Sequence, residues 1–408
     1  MPQSLDALRS QGASAAVLAC RGCGAPAEEI VLDLGMLPLP DGTSAPLRVT
    51  ACEDCRLVQL LDDLPPGCTP LPRLPDQPRR LDRDAEATIA WLGLHAGTLV
   101  AEIGSGDGSG LLPFARRGIG VLGIEWRQEL AQLAAAHGVP TRIARFDAAL
   151  ARRLAAGGHA PVLISAPDAL AEAPDLHDLL AGLRLLLAPG GVLVLELPYL
   201  LPVLECLRFD VFRHGRLCYH TLATAEVALA PHGLSVFDAE SLPGGALRLF
   251  ARHAEDRGKP VTEAVEALRQ REECAGLADP AVLRGLHAEV AAAAAALRGF
   301  LHDARRDGLR VVGYGAPGQG GTLLAHCAIG PELLPFVAER DPVRHGGTMP
   351  GTAIPILPPA AIATARPDVV LVLAPDHADG IMRELAAIPG WHGCFALPGR
   401  RIDLFRGD

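Results

Sequence analysis

Ala101-Glu-Ile-Gly-Ser-Gly-Asp-Gly108 decides how this chain is read. The apolar run from Thr98 to Ile103 predicts a strand, the glycines a tight turn, and residues 108–117 a helix. Glycines 104, 106 and 108 let backbone approach a ligand where a Cβ would clash. A second predicted strand, Gly120 to Ile124, ends in Glu125. An acidic residue there, about twenty residues past the first glycine, suits a pair of ribose hydroxyls. Glu102 and Asp107 put negative charge in and beside the turn. That disfavours a pyrophosphate and favours a cationic nucleoside, which is the chemistry of S-adenosylmethionine. Phe146 and Asp147 follow the third strand, where a ring and a carboxylate can flank an adenine. The predicted cofactor set is therefore Glu102, Gly104, Gly106, Asp107, Glu125, Phe146 and Asp147. The alternative is an ordinary strand–turn–helix with no ligand.

Outward from that turn, the pattern is α/β. Strands at 98–103, 120–124, 161–165 and 191–197 alternate with helices at 108–117, 127–136 and 175–187, which predicts a parallel sheet covered on both faces. Ala188-Pro-Gly-Gly191 stops a helix before a buried strand. A helix from Asp82 to Leu94 leads into this unit. Residues 199–252 read as a loop, a helix from Ala223 to Pro231 and a final strand pair. A second α/β unit starts at Leu309 to Gly313, continues through Tyr314-Gly-Ala-Pro-Gly-Gln-Gly-Gly321, and enters a helix at Thr322 to Cys327. Further strands are expected near 335–339, 369–373 and 393–396. The Ala291 to Ala296 run reads as plain helix. The 313–321 turn either binds a phosphate through backbone amides or serves packing.

Four of the ten cysteines are grouped as Cys20-x-x-Cys23 and Cys52-x-x-Cys55. Paired knuckles bring four thiolates onto one tetrahedral ion, with zinc the first choice and a structural role expected. The long spacing between them predicts a small strand-containing insert. A redox pair is the alternative for either half. Cysteines 68, 206, 218, 274, 327 and 394 read as ordinary small apolar residues. Residues 61–80, rich in Pro, Leu, Asp and Arg, read as a linker.

The 408 residues suffice for two or three domains. The net charge of −10 and the lack of a sustained basic run argue against nucleic acid as partner. No apolar run is long enough to span a bilayer, and Met1-Pro-Gln-Ser-Leu-Asp6 lacks a signal pattern. A soluble, cytoplasmic protein with no membrane partner is expected.

Several strings in one order carry a family resemblance. They are Cys20-Arg-Gly-Cys23, Leu34-Gly-Met-Leu-Pro-Leu39 and Cys52-x-x-Cys55-Arg-Leu-Val-Gln-Leu60, then Glu102-Ile-Gly-Ser-Gly-Asp-Gly108, Ala173-Pro-Asp-Leu-His177, Glu196-Leu-Pro-Tyr199, Phe209-Asp210 and Gly244-Gly-Ala-Leu-Arg248. Gly313-Tyr-Gly-Ala-Pro317, Thr322-Leu-Leu324, Arg340-Asp-Pro342 and Pro350-Gly-Thr-Ala-Ile-Pro-Ile356 complete the set. Together they resemble the nucleotide-sugar C-methyltransferases of deoxysugar and antibiotic biosynthesis, which methylate C3 of a 4-keto sugar. The resemblance implies a zinc-binding domain over 1–68, a Rossmann-like S-adenosylmethionine domain over 69–255 and a second Rossmann-like, substrate- or nucleotide-binding domain over 256–408. It also implies a small-molecule partner, a nucleotide-linked sugar, with Tyr199, Arg248, Tyr314 and Arg340 as substrate-binding candidates; Arg213, where the chain departs from the family, joins them on its own chemistry.

The departures are as informative. The family carries Tyr-His-Glu-His shortly after Phe-Asp, whereas this chain reads Arg213-His214-Gly215-Arg216. The family's His ahead of Val-Pro-Asp is Glu172 here, and its tyrosine-rich interdomain stretch is replaced by Pro and Arg. C-methylation next to a ketone needs a base for the α-proton and a donor for the enolate oxygen. Arginine stays protonated, so Arg213 and Arg216 suit an anion grip. His214, Glu172 and Tyr219 are the replacement candidates for the base, with Arg216 as donor and His220 beside Tyr219 in reserve. Glu172 is either the base, the partner of an arginine, or a surface residue before a helix capped by Asp175. Three functions remain open at this stage: C-methylation of a nucleotide-linked keto sugar, methylation of another acceptor (acid, amine or hydroxyl), or non-catalytic cofactor binding.

Overall fold

The computed structural model describes residues 19–27, 29–39, 41–64, 78–242, 244–315 and 319–406. Between the two cysteine pairs lie β1 (Ile30–Pro38) and β2 (Ser44–Ala51), followed by β3 (Val58–Leu60). They form an antiparallel meander, which is the expected strand-containing insert. Leu32, Leu47, Val49, Val58 and Leu60 are its fully buried face.

The central unit contains β4 (Leu99–Ile103), β5 (Gly120–Glu125), β6 (Thr141–Ile143), β7 (Leu163–Pro167) and β8 (Val192–Pro198). A two-residue strand, β9 (Cys218–Tyr219), precedes the hairpin β10 (Leu234–Leu242) and β11 (Ala246–His253). The sheet order is β10-β11-β8-β7-β4-β5-β6. Strands β4 to β8 are mutually parallel, and β11 runs antiparallel to β8. The order reverses at β4, which opens a crevice at the carboxyl ends of β4 and β7. Strand β9 lies outside this sheet and pairs with β3, with Val58 opposite Tyr219 and Gln59 opposite Cys218. The cysteine-bearing meander thus gains its fourth strand from the middle of the chain.

Expected strands fall within a few residues of those observed, but the helix after the glycine turn is much shorter than 108–117. It spans Leu112–Arg116. Gly108 has φ +79°, which cannot continue a right-handed helix. Residues 105–111 instead form successive turns, and Pro113, the second residue of the helix, sits in the first turn where no amide donor is needed. Within the central unit, three helices among the described residues go beyond the expected set: Ala148–Ala156, capped by Asp147, and the short Ala169–Glu172 and Leu200–Glu205. The entering helix begins at Pro78, inside the segment expected to be linker; residues 65–77 of that segment, Cys68 included, lie outside the described residues.

The C-terminal sheet contains β12 (Val311–Tyr314), β13 (Val337–Ala338), β14 (Ile356–Leu357), β15 (Val369–Val372), β16 (Cys394–Leu397) and β17 (Asp403–Arg406). Its order is β14-β13-β12-β15-β16-β17, all parallel except β17. The helix after β12 spans Gln319–His326, and residues 316–318 of the expected turn lie outside the described residues. The alanine run is helical, within Leu286–Arg306, with Ala293 and Ala294 buried. Arg208 ties the central and C-terminal units together. Its guanidinium donates to Asp210 (Nε to Oδ1, 2.9 Å), Asp376 (2.8 Å) and Gln319 (3.1 Å). Among the described residues, no helix is long and apolar enough to cross a membrane.

Candidate active site and metal centre

At the end of β5 the Glu125 side chain is fully buried. Its carboxylate accepts the Gly106 amide (3.0 Å), the Arg127 amide (2.8 Å) and Arg127 Nε (2.9 Å). Burial pushes its carboxyl up, but Arg127 and the Gly106 amide outweigh burial, and the net direction is below the ordinary value. An ideal Cβ at Gly104 or Gly106 would meet no atom within 4 Å. Backbone there borders open space, as approach by a ligand requires. Gly108 differs: a Cβ would press on Ala134 and Val139 at 3.0–3.1 Å, so this glycine serves helix packing. A Cβ at Gly110 would lie 2.6 Å from the Glu102 carboxylate, which places Glu102 against the inside of the turn. Asp107 accepts the Ser109 amide (3.1 Å).

Phe146 and Asp147, the expected adenine flanks, each have a partner within the chain. Phe146 packs toward helix Leu176–Leu186, close enough that a Cβ on Gly182 would sit 2.9 Å from its ring. Asp147 caps helix Ala148–Ala156 by accepting the Leu150 amide (2.5 Å). The aromatic ring at the end of β5 is Trp126, with the Arg145 guanidinium 4.0 Å above its centroid and Arg127 at 5.5 Å. Trp126 and Arg145 escaped the sequence reading. The available signal was an aromatic residue directly after the acidic strand end.

Strand β7, on the other side of β4 from β5, is followed by Asp168, which adopts φ +57°. A non-glycine residue in the left-handed region marks a turn held by its surroundings. Asp168 accepts Arg216 (3.0 Å), and Glu172, four residues on, accepts Arg213 (3.2 Å). The two arginines therefore hold carboxylates of this chain, which answers one of the alternatives left open for Glu172. Burial pushes the Glu172 carboxyl up and Asp168 adds to it, while Arg213, Arg216 and Arg127 pull the other way; the net direction is up. Arg127, the partner of Glu125, is among the charges that act on Glu172. Among the described residues Arg216 Nε is buried with no hydrogen-bond partner, and burial, with Arg216 beside it, pulls Arg213 below its ordinary value.

The other candidates scatter. Tyr219 is fully buried; its hydroxyl accepts the Arg213 amide (3.0 Å) and donates to the Val211 carbonyl (3.2 Å), and burial pushes its phenol up to about 12. His214 turns to the N-terminal meander, with Nε2 3.1 Å from the Pro46 carbonyl. His220 is buried between the Leu170 carbonyl and Thr224, its imidazole pushed down to about 4 by burial. Tyr199 lies in the core at 1% exposure, and burial, followed by the Glu272 charge, holds its phenol up. Arg248 pairs across the sheet with Glu196 (2.7 Å) and Glu240 (3.0 Å). Tyr314 and Arg340 meet on Glu384 near the ends of β12 and β13. Asp175 caps the helix after Glu172 by accepting the Asp178 amide (2.9 Å).

Sulfur atoms of Cys20, Cys23, Cys52 and Cys55 all lie within 4.8 Å of one another. The Cys20–Cys55 and Cys23–Cys52 separations are 3.5 Å. A tetrahedron of Zn–S bonds near 2.3 Å has edges of about 3.8 Å. The Gly22 amide points at the Cys20 sulfur (3.4 Å), which favours the thiolate that a metal needs. An S4 set of this size fits zinc. Of the remaining described cysteines, 218 and 327 are buried, 394 is half-buried, and 206 and 274 are exposed.

A family model for the C-methyltransferase C-terminal domain matches residues 241–398. The C-methyltransferase NovU of Streptomyces niveus is 30% identical over 387 residues, which is 89% of this chain and 91% of that protein. The chain belongs to the C-methyltransferase family. It is thus an S-adenosylmethionine-dependent methyltransferase, similar to NovU. Among solved structures, magnesium protoporphyrin IX methyltransferase (ChlM) from Synechocystis PCC 6803 with bound SAH is 20% identical, with a TM-score of 0.32, covering 42% of this C-methyltransferase and 81% of its own chain. The CcbJ methyltransferase from Streptomyces caelestis is 18% identical, with a TM-score of 0.34, covering 42% and 89%.

Proposed function

We propose that this enzyme C-methylates a keto sugar carried on a nucleotide, with Glu172 taking the α-proton in place of the family's Tyr-His-Glu-His residues. One observation carries the reading. Just past the carboxyl end of β7 the chain pairs Glu172 with Arg213 at 3.2 Å beside the Asp168–Arg216 pair, and burial together with Asp168 holds the Glu172 carboxyl above its ordinary value. A general base works best when its pKa lies closer to the operating pH than that of a solvated carboxylate. The nucleotide-linked sugar itself comes from the resemblance to NovU and the family strings, with 69–255 as the methyl-transfer unit and 256–408 as the nucleotide-side unit.

Glu102, Gly104, Gly106 and Glu125 hold S-adenosylmethionine, which supplies an electrophilic methyl group when bound. Glu172 removes the proton from the carbon beside the ketone. Arg216, whose Nε has no hydrogen-bond partner among the described residues, takes the developing enolate oxygen. Arg213 orients Glu172 and keeps it ionised. Tyr219 fixes the backbone of Arg213 and exchanges no proton, because both sides of its hydroxyl are engaged. Four cysteines hold zinc in a structural role.

The test is turnover on a panel of nucleotide-linked 4-keto sugars, read by mass spectrometry as gain of one methyl group, with deuterium exchange of the α-proton followed in parallel. Methyl gain and α-exchange that both disappear in Glu172→Gln support the proposal. Methyl transfer without α-exchange would move the acceptor atom from carbon to a nitrogen or oxygen.

A further inference from the structure

The first cysteine knuckle contains a side chain that points away from the metal position. Arg21 lies between Cys20 and Cys23, yet its side chain is only 9% exposed. Its amide donates to Gln59 Oε1 (3.1 Å), and its guanidinium donates to Gln59 Oε1 (3.3 Å), to the Leu60 carbonyl (2.9 Å) and to Asp63 (2.8 Å). One arginine thus fastens the knuckle to the end of β3. Gln59 is fully buried, so its contact with Arg21 is made away from water.

From β3 the hydrogen bonds continue without a break. The Leu60 amide donates to the Leu217 carbonyl (2.8 Å), and the Leu217 amide donates to the Ala171 carbonyl (2.6 Å). Ala171 precedes Glu172. A second branch runs through the β3–β9 pair, where Val58 faces Tyr219 and the Tyr219 hydroxyl holds the Arg213 amide. Both branches end on the ion pair in the crevice, one at Glu172 and one at Arg213. Helix Ala169–Glu172 is a single turn and has little rigidity of its own. Its setting depends on what it is bonded to.

We propose that Arg21 is a positioning residue for methyl transfer: it hands the geometry of the cysteine knuckle through β3 and Leu217 to the turn that bears Glu172. The proposal rests on Glu172 acting as the base. It gives the N-terminal unit a task in the reaction besides its own fold. Loss of Arg21 lets Glu172 and Arg213 drift relative to the acceptor while the cofactor seat, built on β4 and β5, stays as it was.

Arg21→Met keeps the aliphatic stem and removes the guanidinium. The zinc-loaded variant is compared with the wild type for metal content, SAH affinity, kcat, the pH dependence of kcat and hydrogen exchange in the peptide containing Leu217. Metal content and SAH affinity should be unchanged. Because misplacement by about 1 Å costs about a hundredfold, kcat should fall by about that factor; the acid limb should shift, and the Leu217 peptide should exchange faster. Wild-type kcat, acid limb and exchange would overturn the proposal. If the methionine variant loses zinc, Arg21→Lys decides: one donor for the Leu60 carbonyl remains, so kcat and exchange should lie between wild type and the full loss, and wild-type values would overturn it. Glu172→Gln separates the two readings. An active Glu172→Gln enzyme removes the base assignment alone, and accelerated exchange at Leu217 in the Arg21 variant then still supports the mechanical link. An inactive Glu172→Gln enzyme beside a normal Arg21→Met enzyme removes the role of Arg21 alone.

Discussion

The Arg213 guanidinium lies 3.2 Å from the Glu172 carboxylate, at the place where the chain departs from its family's Tyr-His-Glu-His string. A carboxylate with a raised pKa and a fixed cationic neighbour can be both ionised and proton-accepting. Glu172→Gln removes the base and keeps the hydrogen bond to Arg213. Turnover should fall about 10²–10⁴-fold, the usual reach of general base catalysis, while SAH affinity measured by calorimetry stays at the wild-type value. A loss of SAH affinity in step with turnover would show that Glu172 belongs to the cofactor seat instead.

Glu125 makes the opposite prediction. Its buried carboxylate is bonded to Arg127 and to the Gly106 amide, on the turn that the cofactor must approach. Glu125→Gln should weaken SAH binding by about 10- to 100-fold, since a hydrogen bond to a charged group contributes about 1.5–3 kcal/mol. The same carboxylate contributes to acid stability. Its folded pKa lies below the unfolded value, so the contribution is complete above the unfolded carboxylate pKa and is lost as pH falls through the folded one. Urea midpoints taken from neutral pH down to pH 3 should show a shallower acid decline in Glu125→Gln than in the wild type.

His220 sets a second pH window. The imidazole is fully buried and is pushed down to about 4 by burial, from an ordinary value of 6.5. Folding therefore favours the neutral ring, and the unfolded chain binds the extra proton. Its contribution is complete above about pH 6.5 and is lost as pH falls toward 4, with a span of about 3 kcal/mol. His220→Gln should flatten the wild-type slope of stability between those pH values, as read by urea unfolding at intervals across the window.

The sequence made the glycine turn and its strands legible because apolar runs, glycines and an acidic strand end are local signals. The cysteine knuckles were legible for the same reason, and the four sulfurs do converge. What escaped was set by distance along the chain. The pairing of β3 with β9 joins residues some 160 positions apart, and no local pattern at Cys218 or Tyr219 announces it. Asp168 was passed over because its importance comes from Arg216, 48 residues later. The place of Phe146 after a strand is legible, whereas its packing beside Gly182 of the facing helix is not. Arg248, Tyr314 and Arg340 follow the same lesson: type and position were readable, whereas the carboxylates that occupy them were not.

Asp168 and Arg216 together allow a test by sign rather than by size. Both face Glu172, Asp168 raising its pKa and Arg216 lowering it. A base must be ionised to work, so kcat/KM rises with pH through the Glu172 pKa and the acid limb reports that value. Asp168→Asn removes a negative neighbour and keeps a side chain that tolerates the left-handed turn at φ +57°. Its acid limb should move to lower pH. Arg216→Met removes a positive neighbour and frees Asp168 from its partner, so its acid limb should move to higher pH. A purely structural cluster would lower the rate in both variants without separating the two limbs. Opposite displacements place the titrating group within reach of both charges, as Glu172 is, whereas limbs that move together assign the proton transfer to another residue.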